Sequence, residues 1–362
     1  MVKTEVLIVG AGPAGSTVSK YLSLNNIENI LIQKDFTFKK PCGGAIRLDA
    51  FDEFDIDRSI IQKSIKKIGL VYKTKKIEID ISEFPLAIVD RVAFDHSLRE
   101  DAEKAGSILY EATFTSLELF DDHIISVIKK GNEYIKIRSK YVIAADGVNS
   151  KIRKLINGDS VTSILTTDMD LTSEDDHDIC EFHFGKEVAG KYYAWSFPHA
   201  DGSNIGTLSA KTTNNMNNLL NNLKIEERNF FLGYKIPHFE NNIFYKNRVF
   251  FVGDSASQVL PFTYEGIYYA MSSAKILSEV FIKREEPQMY EKRWNTKHYK
   301  KFTTLRTLQY FLLYNNFTIE IMMRLYRSEY IQNQMVRYWL TKRDLNLNFS
   351  FVVKLLKRLV LK

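Results

Sequence analysis

Apolar residues enter this chain in two rhythms, and the first is the continuous run. Residues 4–9, TEVLIV, form the unbroken stretch of a strand buried on both faces, and Ile30–Ile32 repeats it one helix later. Tyr141–Ala145 and Val249–Val252 read as two more short buried strands. The second rhythm is alternation. It runs through residues 65–92, through Tyr110–Leu119 and His123–Ile137 as a hairpin turning at Lys130-Gly131-Asn132, and through a β-rich stretch at 160–210. A 3.6-residue period sets Phe94, Leu98 and Ala102 on one side of a helix predicted over Val92–Ala105. Asn214–Asn222 is asparagine-rich and reads as a connector, whereas everything beyond Ser272 has helical periodicity. No internal repeat or low-complexity domain breaks this order. Buried strands alternating with helices predict an α/β protein, α+β overall.

The first buried strand ends in Gly10-Ala11-Gly12-Pro13-Ala14-Gly15 and leads into a helix through Leu24. G-x-G-x-x-G at a strand-to-helix turn is the context in which this spacing points to a dinucleotide. The first glycine allows the tight turn, the second lets backbone meet a pyrophosphate, and the third lets the helix pack on the strand. Free N–H groups and the positive dipole end then face the phosphates. An acidic ribose ligand belongs about 20 residues further on. Gln33 stands there instead, followed by Lys34, and its amide oxygen can accept from a ribose hydroxyl without charge assistance.

Two later buried strands also end in an Asp/Gly pair, in AADGVNS (144–150) and FVGDSAS (251–257). Ligands of open α/β sheets sit beyond such strand ends. Asp146 and Asp254 can accept sugar hydroxyls there, while Gly147 and Gly253 keep space. Either one alone is as readily an ordinary turn; together, downstream of a phosphate fingerprint, they point to one site. GAGPAG, AADGVNSKIR and VGDSASQVLPFTYEGIYYA resemble the FAD-containing fold of the aromatic hydroxylases and their relatives. The resemblance implies a Rossmann-like FAD-binding domain. Its last motif, with Pro261, Gly266 and Ile267, belongs at the ribityl and pyrophosphate portions. Arg91 in VDRVAFDHSLR matches an arginine set against the flavin, the plainer reading being a surface salt bridge. KPCGGAI (40–46), YYAWSFP (192–198) and the sequence Glu265-Gly266-Ile267-Tyr268-Tyr269-Ala270 resemble one branch, the geranylgeranyl reductases, flavoenzymes that saturate isoprenoid double bonds. The likeness covers residues 1–285. It departs at Gln33, and at Gln258 and Tyr264, where relatives usually carry glycine; a large ring at Tyr264 is placed to alter substrate access.

The organisation so implied is a discontinuous FAD-binding domain (1–62, 93–155 and 240–285), an inserted β-rich substrate domain (63–92 and 156–239) and a basic helical C-terminal region (286–362). KPCGGAI is expected along the isoalloxazine, with Gly43 and Gly44 permitting close backbone approach and Cys42 near the reacting face. The implied reaction adds hydride to one alkene carbon and a proton to the other in a site kept dry. Cys42 is the candidate catalytic residue, by positioning substrate, gating the flavin or relaying the proton. Positioning ranks first, because an ordinary thiol with a pKa of about 8.5 is a poor acid toward an alkene. A small residue packed beneath the cofactor is the plainer alternative. Tyr193, Trp195 and Phe197 alternate onto one strand face, as sheet core or as the wall for a long hydrocarbon. Pro198 and Tyr264 complete the expected substrate contacts. His199 is expected in an exposed loop, without a role.

Composition narrows the remaining classes. The 362 residues are 45% hydrophobic and 26% charged, a globular balance. Cys42 and Cys180 alone exclude a disulfide scaffold and make a reducing compartment the default. No signal peptide, spanning helix or metal site is expected. The net charge of +6 is uneven: from Glu291 onward 15 Lys and Arg face 4 Asp and Glu, leaving the preceding chain acidic. In FSFVVKLLKRLVLK, a helix over 349–362 gathers Phe349, Val352, Val353, Leu355, Leu356, Leu359 and Val360 in an arc of about 160°, opposite Lys354, Lys357, Arg358 and Lys362. Such a helix suits an anionic membrane surface, or a terminal helix docked on the body; nucleic-acid motifs are missing.

The expectation is thus an FAD-dependent reductase of a geranylgeranyl or other polyprenyl chain, cytoplasmic and peripheral on the inner membrane face. Its electron donor would be NADPH, NADH or ferredoxin-like, since no second fingerprint is visible. A single-component flavin monooxygenase on an aromatic substrate and a non-catalytic flavin-binding regulatory protein are the alternatives.

Overall fold

The computed structural model describes residues 1–172, 178–227, 232–240 and 242–341, whose strands form three sheets. The first grows outward from β1 (Val2–Val9), in which Val6, Leu7 and Ile8 are wholly buried. β1 pairs in parallel with β2 (Asn29–Gln33) on one side and β11 (Glu133–Ala144) on the other. A strand with parallel neighbours on both sides is covered on both faces, which is why its sequence is unbroken apolar. Outside β2 lies β8 (Ile108–Glu111); outside β11 lie β18 (Val249–Phe251) and then β17 (Tyr245–Lys246). Helix α1 (Pro13–Leu24) crosses from β1 to β2 and packs with α3 (Arg91–Lys104) and α6 (Ile267–Ile282), burying Val18, Leu22, Phe94 and Leu277 on one face. The opposite face holds Leu7, Val9 and Val142 against Phe114 and Ile152, the latter on α4 (Lys151–Asn157).

β11 corrects the sequence pattern. The hairpin arm ending near Ile137 and the short strand at 141–145 are one strand of 12 residues. Its first half pairs antiparallel with β10 (Ile124–Lys130), which pairs in turn with β9 (Thr113–Leu119); its second half joins the parallel core. Ser139 breaks the apolar pattern, yet it is buried in register with both Thr4 and Ile124.

A seven-stranded sheet follows the order β16 (Leu232–Pro237), β12 (Ser163–Thr172), β15 (Gly202–Leu208), β14 (Ala194–His199), β13 (Ile179–Phe184), β5 (Lys67–Tyr72) and β6 (Lys75–Asp80). Phe182, Tyr193, Trp195 and Phe197 share one buried cluster with Ile319 and Met322 of α9 (Asn316–Leu325) and with Val336 of α10 (Glu329–Leu340). The other face is closed by α5 (Thr212–Asn222). That helix is where a connector was expected. Met216, Leu219 and Leu220 recur at helical spacing and are fully buried, so the intervening asparagines lie on its remaining faces despite their modest helix propensity.

Between the two sheets, β3 (Ala45–Arg47), β7 (Leu86–Val89) and β4 (Ile61–Ile65) form a small antiparallel bridge, beside α2 (Asp49–Glu53). After α6 the chain continues through α7 (Gln288–Trp294), a π-helical turn at Asn295–Tyr299 and α8 (Lys300–Leu312). Among the described residues no helix is long and apolar enough to cross a membrane. The amphipathic helix expected over 349–362 lies outside them.

Candidate active site

A cavity of about 700 Å³ lies where the first sheet, the bridge and the seven-stranded sheet meet. From the first unit it is lined by Gly10, Gly12, Pro13, Ala14, Gln33, Lys34, Asp146, Gly147, Asp254, Gly266 and Ile267. From the second come Phe182, Tyr193, Trp195, Phe197 and Leu208, with Tyr264 and Trp339 closing over them. Cys42, Gly43, Gly44 and Arg91 also form its wall. Four residues expected at the site are held behind this lining. Gly15 packs under Gly10, Gly253 packs on Ala14 and Ala270, and Pro198 and Pro261 are buried in β14 and in the turn before α6.

The glycine loop separates three steric demands. Gly10 has φ +101°, and a Cβ there would sit 2.3 Å from the Ala145 carbonyl oxygen; a Cβ on Gly15 would lie 1.8 Å from that of Gly10. Both positions are closed by protein. At Gly12 an added Cβ meets nothing within 4 Å, so the space beside it is open. α1 begins there with Pro13 in its first turn, no side-chain cap and no acidic residue, leaving its N–H groups available to an anion. Gln33 serves this loop: its Oε1 accepts from the Ala11 amide at 2.9 Å, while its Nε2 donates to the Asp35 carbonyl at 3.1 Å. Asp146 accepts from Ser150 Oγ at 2.6 Å and from the Ile152 amide at 3.2 Å, bracing the start of α4; burial nonetheless raises its pKa. Gln258, another departure from glycine, accepts from the Gly253 amide at 2.9 Å and donates to Tyr290 Oη at 3.0 Å, tying the last motif to α7.

The KPCGGAI loop lies on the aromatic wall. A Cβ on Gly43 would come 2.6 Å from the Phe197 ring, and one on Gly44 2.5 Å from the Val89 carbonyl oxygen. The crowded side of both glycines is therefore protein. Lys39 bonds Asp170 at 2.6 Å and Lys40 bonds Asp254 at 2.5 Å, so the loop is pinned to both units. His199 was expected in an exposed loop; it ends β14, half-buried, with Nε2 3.2 Å from the Gly43 carbonyl. Burial lowers its pKa, favouring the neutral ring. Arg91 is no surface salt bridge. It is buried, bonded through Nη2 to both Asp95 oxygens (3.1 and 3.0 Å), and its Nε has no protein partner.

Sequence reasoning missed a relay behind the wall. Trp195 Nε1 donates to Asn204 Oδ1 at 2.7 Å, and Asn204 Nδ2 donates to Asp168 Oδ2 at 3.0 Å and to Asp170 Oδ1 at 2.9 Å. Asp168 is 3% exposed, and the Cys42 backbone amide is near enough to favour its charged form. Burial pushes its pKa up to about 6, against the opposing Asn204 bond. Glu265 was read only as part of a motif. Its carboxylate is buried, and burial raises its pKa to about 6 while Arg47, Lys301 and the Trp339 side chain oppose. The signal for the relay was the pair Asp168 and Asp170, two residues apart on a strand, with Lys39 charged in the cysteine loop.

The residues present fit an FAD. The floor at Gly12 is open, the α1 N-terminus is uncapped, and the Arg91 Nε and Thr263 Oγ1 donors are buried without protein partners on the cavity wall. Two side chains beside this space carry backbone strain. Phe262 (φ +75°) and Tyr264 (φ +52°) are left-handed, a conformation costing about 1–2 kcal/mol per residue.

Comparison with known proteins follows the same lines. The FAD binding domain family matches residues 3–205. A digeranylgeranylglycerophospholipid reductase of Methanococcus vannielii is 32% identical over 326 residues, covering 82% of this chain and 83% of its own. A geranylgeranyl diphosphate reductase of Synechocystis sp. is 28% identical over 345 residues, covering 84% of each. Among solved structures, a geranylgeranyl bacteriochlorophyll reductase-like protein from Thermoplasma acidophilum aligns with a TM-score of 0.74 at 22% identity, over 98% of this chain and 96% of that one, and so shares the fold.

Two measurements check the site. Gly12→Ala should melt like the wild type yet bind FAD about tenfold or more weakly, whereas Gly15→Ala should lose on the order of 3 kcal/mol of stability through its backbone collision. Equal effects of the two, by melting and flavin titration, would contradict the assignment. Asp168 titrates near pH 6 when folded and near pH 3.9 when unfolded. The folded state binds the extra proton between those values, so the residue's contribution to stability falls as pH rises from about 4 to about 6 and is flat above. Asp168→Asn should lack that fall in urea titrations across the range; a profile parallel to the wild type would exclude the shift.

Proposed function

The chain belongs to the FAD-binding domain family and to its geranylgeranyl reductase branch, and from that premise we propose that it saturates C=C bonds of a geranylgeranyl or other polyprenyl lipid. The observation that carries the reading is the make-up of the cavity. A loop fit for a pyrophosphate and a wall of Tyr193, Trp195 and Phe197 line one space, with the Cys42 loop on its wall. Bound and reduced, FAD supplies the hydride equivalent for the alkene.

The chain's own groups do the rest. The backbone from Gly10 to Ala14 and the α1 N-terminus hold the pyrophosphate, and Gln33 keeps that loop in shape. Asp254, with Lys40, and Gly266 with Ile267 flank the ribityl side. The aromatic wall holds the hydrocarbon and excludes water, which favours an apolar chain over a polar metabolite. Trp195 is fixed by Asn204, and the Cys42 loop by Lys39, Lys40 and His199. In this reading Cys42, on the cavity wall, positions the double bond. Each saturated bond takes up two electrons and two protons, and the electrons come from an external donor, NADPH, NADH or a ferredoxin-like protein.

A polyprenyl lipid resides in a membrane, and peripheral attachment on its cytoplasmic face belongs to this reading. Tyr310, Phe311, Tyr314 and Phe317 are 48–72% exposed at the α8–α9 corner. Residues 307–319 carry no charge, and Lys191 stands 4.9 Å from the Tyr314 ring. Exposed aromatics fringed by lysine suit an interfacial lipid layer. The basic segment 349–362 would add to that attraction.

Anaerobic incubation of the FAD-loaded, reduced protein with a geranylgeranyl lipid should add two hydrogens per bond in the mass spectrum. Cys42→Ala should keep its flavin but turn over about tenfold more slowly; full turnover would remove the positioning role. Oxygen-dependent hydroxylation of an aromatic compound would replace the reading with the monooxygenase one. Replacing Phe311 and Phe317 together by serine should weaken sedimentation with anionic vesicles by about tenfold or more. Unchanged binding would exclude that corner from attachment.

A further inference from the structure

We propose that Tyr264 determines the length of chain the cavity accepts, its ring forming the stop between the cavity and the side chains of His238 and Gln309. This rests on the polyprenyl reading of the cavity.

The ring occupies a boundary. It lines the cavity together with Tyr193, Ile236 and Trp339 and packs with them in one apolar cluster. Its hydroxyl points the other way. Oη lies 3.1 Å from His238 Nδ1 and accepts from Gln309 Nε2 at 3.3 Å, and the Tyr192 ring stands edge-on at 5.8 Å. Those partners are half-buried groups of the outer layer. A hydrocarbon lying along Trp195 and Tyr193 therefore meets an aromatic face whose own hydroxyl is engaged elsewhere.

The backbone beneath the ring explains why it stays put. Tyr264 is left-handed at φ +52°, with Phe262 left-handed two residues before it. Bulky residues persist in this region only where their surroundings over-determine them. Here the surroundings do so. Gln309 Oε1 accepts from the Phe262 amide at 3.0 Å, Tyr193 Oη donates to the Thr263 carbonyl at 2.6 Å, and Gln309 holds the Tyr264 hydroxyl. The turn is fixed at three successive residues, two of them by one glutamine. Glycine at this position would relax the backbone and open the cavity by the volume of a tyrosine side chain. The strain is thus kept together with a ring that shortens the space.

The test uses FAD-loaded wild type, Tyr264→Gly and Tyr264→Phe. Farnesol, geranylgeraniol and a longer polyprenol are titrated by quenching of tryptophan fluorescence, and kcat/KM is measured on the matching diphosphates. The wild type should favour its preferred length over the next longer chain by about tenfold or more. Tyr264→Gly should lose that preference while still binding FAD, and Tyr264→Phe should keep it, since the ring remains. The same length ratio in the wild type and Tyr264→Gly overturns the proposal. So does a shift in Tyr264→Phe as large as in Tyr264→Gly, which would assign the effect to the hydroxyl. Failure of every prenyl alcohol to bind any of the three proteins sinks the polyprenyl reading itself. Binding at all lengths without discrimination in the wild type sinks the length stop alone.

Discussion

The structure depends on a contact that two side chains would forbid. β1, the start of α1 and the end of β11 converge so closely that a single carbon added at Gly10 or Gly15 would overlap backbone. Because the approach is backbone to backbone, no rotamer change can relieve it. The neighbouring Gly12 lacks a side chain for the opposite reason, since nothing of the protein lies beside it. One six-residue loop therefore packs against the fold at Gly10 and Gly15 and is free of protein contact beside Gly12, on the cavity side.

The second constraint is charge kept at the edges of an apolar space. The wall of Tyr193, Trp195 and Phe197 is dry, yet the loop that crosses it is held by ions, Lys39 with Asp170 and Lys40 with Asp254. These pairs tie two adjacent residues at the start of the loop to opposite walls, and Gly43 follows against the Phe197 and Trp195 rings. Lys40 and Asp254 are both well shielded from water, a setting in which removing one partner costs far more than an exposed pair is worth. Placement of the thiol thus draws on electrostatics in the residues just before it in the chain.

Much of this was legible in the sequence where one physical cause acted alone. Unbroken apolar runs marked the parallel strands, and glycine spacing marked the loop at the end of β1. Legibility failed where two causes overlapped. β11 reads as two elements because it changes partners midway and buries a serine in its pairing. α5 was hidden because asparagine weighs against helix locally, and only its docked face, Met216, Leu219 and Leu220, makes the helix worthwhile. Gln33 was read as a ribose ligand; that its amide also bonds the Ala11 and Asp35 backbone depends on where the loop folds back. Trp195 and Asn204 share one hairpin, but Asp168 lies 36 residues before Asn204, and no spacing rule joins it to them. The expected helix at 349–362 lies beyond the described residues.

The cavity is lined from Val9 to Trp339, so its wall draws on nearly the whole polypeptide. A ribosome releasing this chain from the N-terminus exposes the pyrophosphate loop first, long before α6 or Trp339 exists to close over it. Pairing β11 with β1 joins segments more than a hundred residues apart, a topology that folds slowly. The complete cavity therefore exists only once these distant segments have come together. Any ligand that prefers this closed form draws the population toward it in proportion to its concentration. Cellular flavin supply is then coupled directly to how much of the protein survives.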